Sequence, residues 1–236
     1  MTGCAVIQIG GETLWLHPER AILWPKGGAV IVADTHFGKS SVFGRHGLAV
    51  PAGSDDKDRE RLTRLVCDSE AQRLIILGDF VHEPLRIGSR EAADLERWSA
   101  SLRSIRIQVI AGNHDRGISH GWRGSLEWIA GELIEPPFRF IHDLTKARAQ
   151  VQDLFSLSGH IHPVIALKGM RKSISRIPVF WQREESLVLP SFGLFTGGYL
   201  IKPESGERVF AVGPEQVVPF PPRQIGSASR RVSEKK

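Results

Sequence analysis

The sequence predicts an α/β (α+β) fold in which two β-sheets lie face to face with helices outside. Three observations lead there. Short apolar, β-rich runs recur along the whole chain, each bounded by Gly, Pro or polar residues. Two longer stretches carry helical periodicity and lie between strand-like runs. The order is strands, helix, strand, helix, strand and then mostly strands, so α/β crossovers come first and a meander or second sheet follows.

The runs begin with CAVIQI, TLWLH, AILWP and AVIVAD. They continue through RLIILGD, IRIQVIAG, FRFIHD and LFSLSGH, then VIAL, PVFWQ, SLVLPSF, GGYLI and RVFAVG. A short helix is expected around 38–46, after DTHFGKS. Ser54 is placed to cap a helix over 55–70, with Asp55 and Asp56 in its first turn. Ser89 is placed to cap another over 90–103, where Ala93, Leu95, Trp98 and Leu102 form an apolar stripe. No repeat and no linker interrupts residues 1–220, which read as one domain. Residues 221–236, PPRQIGSASRRVSEKK, read as a basic, disordered tail.

Composition narrows the class. A chain of 236 residues with 41% hydrophobic content can bury a sizeable core. No run approaches the ~20 apolar residues of a membrane span. The first residues lack a basic stretch and meet Glu12 early, so no secretory leader is expected. Cys4 and Cys67 share no CxxC spacing, which fits a reduced, cytoplasmic protein. The net charge is +5, but the tail carries five basic residues against Glu234, a net +4. The body is therefore near +1, and charge alone argues only weakly for a nucleic-acid partner.

The chemistry sits at the strand ends. AVIVAD delivers Asp34 and, two residues on, His36; RLIILGD delivers Asp79; IRIQVIAGNHD delivers Asn113, His114 and Asp115. FRFIHD adds His142, and LFSLSGHIHP adds His160 and His162. Taken singly, each is ordinary: Asx next to Gly is turn chemistry, and a lone histidine is usually a satisfied one. Together they recur at strand ends, and six of the nine histidines lie in or beside them: His36, His82, His114, His142, His160 and His162. In a mostly parallel sheet, ligands gather outside the carboxyl ends of the strands. Two Asp, one Asn and four His form an oxygen/nitrogen set with no thiolate, unlike a structural zinc site. Seven ligands exceed one tetrahedral ion and suit two ions sharing a carboxylate. Asp34 and His36, two apart on an extended segment, would face one ion. His160 and His162, on a turn, could reach different ions.

The series D-x-H, G-D-x-x-H, G-N-H-D, H and G-H-x-H, over about residues 28–165, resembles the calcineurin-like metallophosphoesterases. The resemblance implies a four-layer αββα sandwich of two mixed sheets flanked by helices. By position it implies that Asp34, His36, Asp79 and His162 hold one metal, and Asp79, Asn113, His142 and His160 the other. It makes His114 the catalytic histidine, with Asp115 orienting it. His82 stands where many relatives carry an acid. A narrower likeness covers nearly the whole chain. LWLHPERAILWP, VADTHFGKSSVFGRHGLAVPAGS, LGDFVHEP, AGNHD, LSGHIHP and LPSFGLFTGGYLI are similar to the bacterial DNA ligase-associated metallophosphoesterases, the PdeM family. That likeness implies a DNA-repair phosphodiesterase or endonuclease, with an ATP-dependent DNA ligase, a helicase and an exonuclease-like protein as associated partners.

The implied chemistry is coherent. Two cations roughly 3.5–4 Å apart neutralise phosphoryl oxygens and lower the pKa of a bridging water. The leaving alkoxide then needs a proton or electrostatic stabilisation, which is the role expected of His114. Mn²⁺, Fe²⁺ or Zn²⁺ suits such ligands, and the resemblance favours manganese. Lys39, Arg45, His46, His82 and Arg116 are the candidates for substrate contact, although Lys39 and Arg45 also fit an ordinary solvated helix face. FGLFTGG, 192–198, lacks the lysine and spacing of a P-loop and reads as a turn or a groove wall. Trp15, Trp24, Trp122, Trp128 and Trp181 read as core before base-stacking groups. Two rival functions keep this reading open: a phosphatase or nucleotide/pyrophosphate hydrolase of the same fold, and an interaction subunit of a ligase–helicase complex.

Overall fold

The computed structural model describes residues 2–45, 54–86, 88–115, 122, 125–147, 154–168 and 174–221. Arg116, His46 and the tail from residue 222 lie outside these.

Two mixed sheets pack face to face. The first runs, in spatial order, β1 (Ala5–Ile9), β2 (Glu12–His17), β3 (Ala21–Trp24), β4 (Ala29–Ala33), β5 (Arg73–Leu77), β6 (Arg106–Ile110) and β7 (Leu126–Ile129). Strands β1 to β4 are antiparallel, as short turns between successive strands require. From β4 to β7 the pairing is parallel. Parallel neighbours need long crossovers, supplied here by α1 (Lys39–Arg45) with α2 (Ser54–Asp68), and by α3 (Arg90–Ser101).

The second sheet contains β8 (Glu132–Glu135), β9 (Phe138–Ile141), β10 (Phe155–Ser158), β11 (Pro163–Lys168), β12 (Ile174–Gln182), β13 (Ser186–Val188) and β14 (Tyr199–Leu200). Its order is β14-β11-β12-β13-β10-β9-β8, with β15 (Arg208–Val212) on β12 and β16 (Val217–Phe220) on β15. Its centre, β9–β10–β13, is parallel. The sheets are thus mixed rather than mostly parallel, but each has a parallel centre.

Alternation along β4 shows how the layers form. Ile31 joins Leu14, Leu16, Ile22, Phe138, Phe140, Leu157, Phe180 and Phe210 in the core between the sheets. Its neighbours Val30 and Val32 face the other way, onto Leu62 and Val66 of α2 and Leu95 and Trp98 of α3. Every residue of β4 is buried, as a strand covered on both faces must be. Each such Leu, Ile or Phe contributes about 1.5–3 kcal/mol when fully buried. A third cluster, Ile165, Val179, Ile201, Val209 and Ala211, lies within the second sheet and its β15 extension.

Details depart from the sequence reading. Helix α2 starts at Ser54 itself and ends two residues early, at Asp68. The Ser89 side chain does cap α3, accepting from the Ala92 N–H at 3.1 Å. The buried face of α3 is Ala92, Leu95, Trp98 and Ser99, continued by Leu102; Ala93 is exposed, because it lies far around the helix from that row. Strands β7 and β8 carry charged, partly exposed residues and show no apolar run, and β16, VVPF, is apolar but short and holds a proline. The tryptophans are packing residues: Trp24 is in the inter-sheet core, Trp15, Trp122 and Trp128 pack beside the helical layer, and Trp181 joins the third cluster.

Candidate metal centre and active site

The parallel centres of both sheets end at one place. Asp34 and His36 follow β4, Asp79 follows β5, and Asn113, His114 and Asp115 follow β6. From the second sheet, His142 follows β9, and His160 and His162 follow β10. The chain after β4 stays beside the chain after β5: the N–H groups of Asp34, His36 and Phe37 donate to the carbonyls of Gly78, Asp79 and Phe80. The 34–36 segment is not extended, however. Asp34, His36, Asp79, His160 and His162 all have positive φ, and they make up five of the seven described non-glycine residues that do. This region is sparsely populated by L-residues and costs on the order of 1 kcal/mol or more each. Strain concentrated on these side chains marks a site rather than loose turns.

Two glycines let the sheets approach. A Cβ on Gly78 would lie 2.1 Å from His142 Nδ1, and one on Gly159 would lie 2.6 Å from Asp34 Oδ2. Each sheet therefore leaves room for a ligand of the other.

Three groups of side chains present ligand atoms to a common point: Asp34, His36 and His162; His36, Asp79 and His114; and Asp79, His142 and His160. Asp79 Oδ2 stands at the junction, 3.6 Å from His142 Nε2 and 4.0 Å from both His36 Nε2 and His114 Nε2. Asp34 Oδ1 lies 3.5 Å from His162 Nε2. Asn113 lies beside the third group, its Nδ2 3.3 Å from His160 Nδ1. Asp34, Asp79, His36 and His142 are buried, whereas the His114 side chain is 42% exposed.

The remote nitrogens fix which ring atom faces inward. A carbonyl can only accept, so His142 Nδ1 donates to Leu77 O (3.0 Å) and His162 Nδ1 to Gly197 O (3.0 Å). Their Nε2 atoms point to the carboxylates. His160 is reversed: Nε2 faces the Asp143 carboxylate at 3.6 Å, and Nδ1 faces His142 Nε2 at 3.1 Å. His36 Nε2 likewise faces His162 Nε2 at 3.4 Å, and buried His36 Nδ1 has no hydrogen-bond partner. Burial, with His162, Lys39 and other cations nearby, pushes the His36 imidazolium down to about 2. Burial is the largest single influence on His162 and lowers it too, but the Asp34 carboxylate, the Gly197 carbonyl and Asp79 together outweigh it and the net direction is up. Lone pairs that meet lone pairs and carboxylates at these distances are the donor chemistry of a cation site, so the residues fit divalent metal.

His114 Nδ1 meets the His82 carbonyl at 2.5 Å, and its ring stacks on His82 with centroids 5.4 Å apart. Burial foremost, then Lys39 and His114, hold the His82 imidazolium down. Asp115, which the resemblance gives as orienting His114, bonds to main chain around the ring rather than to the ring itself. Its carboxylate accepts from the N–H groups of Phe80 (3.2 Å), Val81 (3.1 Å) and Gly112 (2.9 Å) and ties the two loops together. Burial raises its pKa despite these three N–H donors. Lys39 is half-buried, with its ammonium 5.4 Å from the Phe43 ring, and burial lowers its pKa. Arg45 ends α1, and its side chain lies outside the described residues, as does all of Arg116.

Some partners gave no sequence signal. Asp143 Oδ2 faces His160 Nε2 at 3.6 Å, and its own Oδ1 accepts from Thr145 N and Oγ1. The FGLFTGG turn serves the site directly: Gly193 N donates to Asp34 O, and Gly197 O accepts a hydrogen bond from His162 Nδ1. That turn is clamped from α2, where Asp58 Oδ2 accepts from Leu194 N (3.1 Å) and Arg61 reaches Phe192 O. The adjacency of Asp143 to His142 in FRFIHD was the one available hint.

These features define a metal-dependent phosphoric ester hydrolase. The chain belongs to the calcineurin-like phosphoesterase family, whose model matches residues 29–202. Among solved structures it is similar to the Pseudomonas putida nuclease MPE, at 32% identity and TM-score 0.77, over 92% of this chain and 100% of that one. A protein of unknown function from Aquifex aeolicus, AQ665, aligns over 57% of this chain and 78% of its own at 13% identity and TM-score 0.37. No curated protein matches the chain. No described helix is long and apolar enough to cross a membrane.

Proposed function

We propose that this protein is a binuclear-metal phosphodiesterase that cleaves DNA, acting in repair in the cytoplasm beside an ATP-dependent DNA ligase, a helicase and an exonuclease-like protein. The observation that carries the binuclear part is Asp79 Oδ2, which stands within about 4 Å of imidazole nitrogens from both ligand groups. The likeness to a nuclease over 92% of the chain supports the substrate class. Asp34, His36, Asp79 and His162 would hold one ion, and Asp79, Asn113, His142 and His160 the other. Divalent ions there, with manganese favoured, supply positive charge for phosphoryl oxygens and acidify water.

The chain's own residues do the rest. His114 is half-open to solvent with Nε2 on the metal side, where a leaving group would depart. Because Nδ1 donates to the His82 carbonyl, Nε2 carries a proton only as imidazolium, the form that a general acid needs. A neutral His82 stacked beside it adds no competing positive charge. Asp115 keeps the GNHD loop against the Phe80–Val81 backbone, and so sets where His114 stands. Lys39 supplies a nearby cation for substrate phosphate, with Arg45 and Arg116 as further candidates.

The near-neutral body favours a second reading, a smaller phosphoester substrate on the same centre. Hydrolysis of bis(p-nitrophenyl) phosphate beside the mono-ester, with Mn²⁺, Mg²⁺, Zn²⁺ or EDTA, separates the two. Metal-dependent diester cleavage, lost in Asp79→Ala, is expected. Activity on the mono-ester alone would move the protein to the phosphatases.

A further inference from the structure

Asn113 is the one member of the proposed ligand set that turns the wrong end of its side chain to the site. A divalent ion needs the amide oxygen. Here Oδ1 accepts from Lys146, and the NH₂ group lies 3.3 Å from His160 Nδ1. Lys146 closes a short 3-10 turn (Leu144–Lys146) that follows His142, and its ammonium also lies 3.3 Å from Asp143 Oδ2. That carboxylate is the one facing His160 Nε2. One ammonium therefore bonds to one proposed ligand of the second ion and pairs with the carboxylate that backs another. No such amine touches the Asp34, His36 and His162 group among the described residues. The Lys146 side chain is 55% exposed and lines a cavity of about 460 Å³ with Asn113, Gly131, Ile134 and Asp143, so it has room to withdraw.

We propose that Lys146 is a resident cation that competes with the second metal ion for the Asn113 amide oxygen. It makes the Asp79–Asn113–His142–His160 position the weaker and later-filled of the two. The ion must displace the ammonium and turn the amide over before it gains its oxygen ligand. The physics is like-charge exclusion: an ammonium and a dication cannot share one acceptor at contact distance. This inference rests on the two-ion reading above.

Isothermal titration of the full chain with Mn²⁺ tests it without any turnover. Wild type is expected to bind two ions in two resolved steps. Lys146→Met and Lys146→Gln should tighten the weaker step by at least about five-fold, the low end of coupling between two sites. The tighter step should move less than about two-fold, and Lys146→Arg should behave as wild type. Two neutral replacements at an exposed position guard against a local packing artefact. An unchanged or weakened second step in both neutral variants overturns the competition. A wild type that binds fewer than two ions would instead sink the two-ion reading itself.

Discussion

The two sheets contribute to the site in different ways. The first supplies Asp34, Asp79 and Asn113 from three adjacent parallel strands, with His36 beside Asp34, so all the proposed oxygen ligands come from one side. The second supplies only imidazoles: His142, His160 and His162. The carboxylates are anchored by backbone N–H groups, His160 N to Asp34 and His114 N to Asp79. The imidazoles of the second sheet meet groups beyond the site: His142 and His162 donate to Leu77 O and Gly197 O, and His160 faces Asp143. The lesson is that main-chain N–H groups of neighbouring loops aim the short carboxylates, whereas the rings of the second sheet are oriented by an acceptor outside the site, and His36 of the first sheet has none.

That contrast can be broken at four points. The largest effect is expected at the open edge, where the proposed role of His114 is to donate a proton rather than to ligate. His114→Ala should keep its metal content and lose at least about 10²-fold in diester turnover, the low end for one acid–base group. Intact turnover with intact metal would remove the role. Next is the contact between the sheets. Gly159→Ala drives a Cβ toward Asp34 Oδ2 and the Ala33 Cβ, and should cost about 1–3 kcal/mol of stability in urea. Its metal content should fall as well, because the sheets must part where the ligands meet.

Third, the second-sheet rings depend on their outer partners. Asp143→Asn should lower Mn²⁺ affinity about ten-fold, the mild end for such a partner, with helix content by circular dichroism unchanged. The smallest effect lies away from the site, where Arg73 on β5 pairs with Glu135 on β8 at 2.7 Å and joins the sheets at their far edge. Hydrogen bonds from Arg73 hold the Glu135 carboxyl below the usual range. Its stabilisation is therefore present above the ordinary carboxylate pKa and is lost as pH falls through the lowered folded value. Glu135→Gln should cost under about 1 kcal/mol at neutral pH, and the two proteins should converge in acid.

The same contrast explains what the sequence could carry. Buried parallel strands are nearly all apolar, so AVIVAD and RLIILGD announced both their strands and the acids that follow. Edge strands announce little: LEWI and ELIE are short, half-buried and charged, and β7 and β8 were invisible. The helix over 90–101 was legible through its cap and through Leu95, Trp98 and Leu102, and only the first member of its buried face differs, Ala92 in place of Ala93. Within the site, residue types and spacing pointed to all seven proposed ligands, because metal chemistry restricts side chains to a few kinds. The outer partners were not legible. Gly197 acts through a main-chain oxygen, which any residue offers, and Asp143 and Lys146 look like ordinary surface charge until the fold brings them to His160 and Asn113. Asp115 was read as orienting His114, but adjacency in sequence does not reveal that its carboxylate bonds to the Phe80, Val81 and Gly112 amides.

The central claim is that two ions share Asp79 where the sheets meet. The direct measurement is the number of Mn²⁺ ions bound per chain, by elemental analysis after equilibrium dialysis, for wild type and Asp79→Ala. The account predicts two ions in wild type and fewer than one in the variant. Two ions retained by Asp79→Ala, or a single ion in saturated wild type, would contradict it.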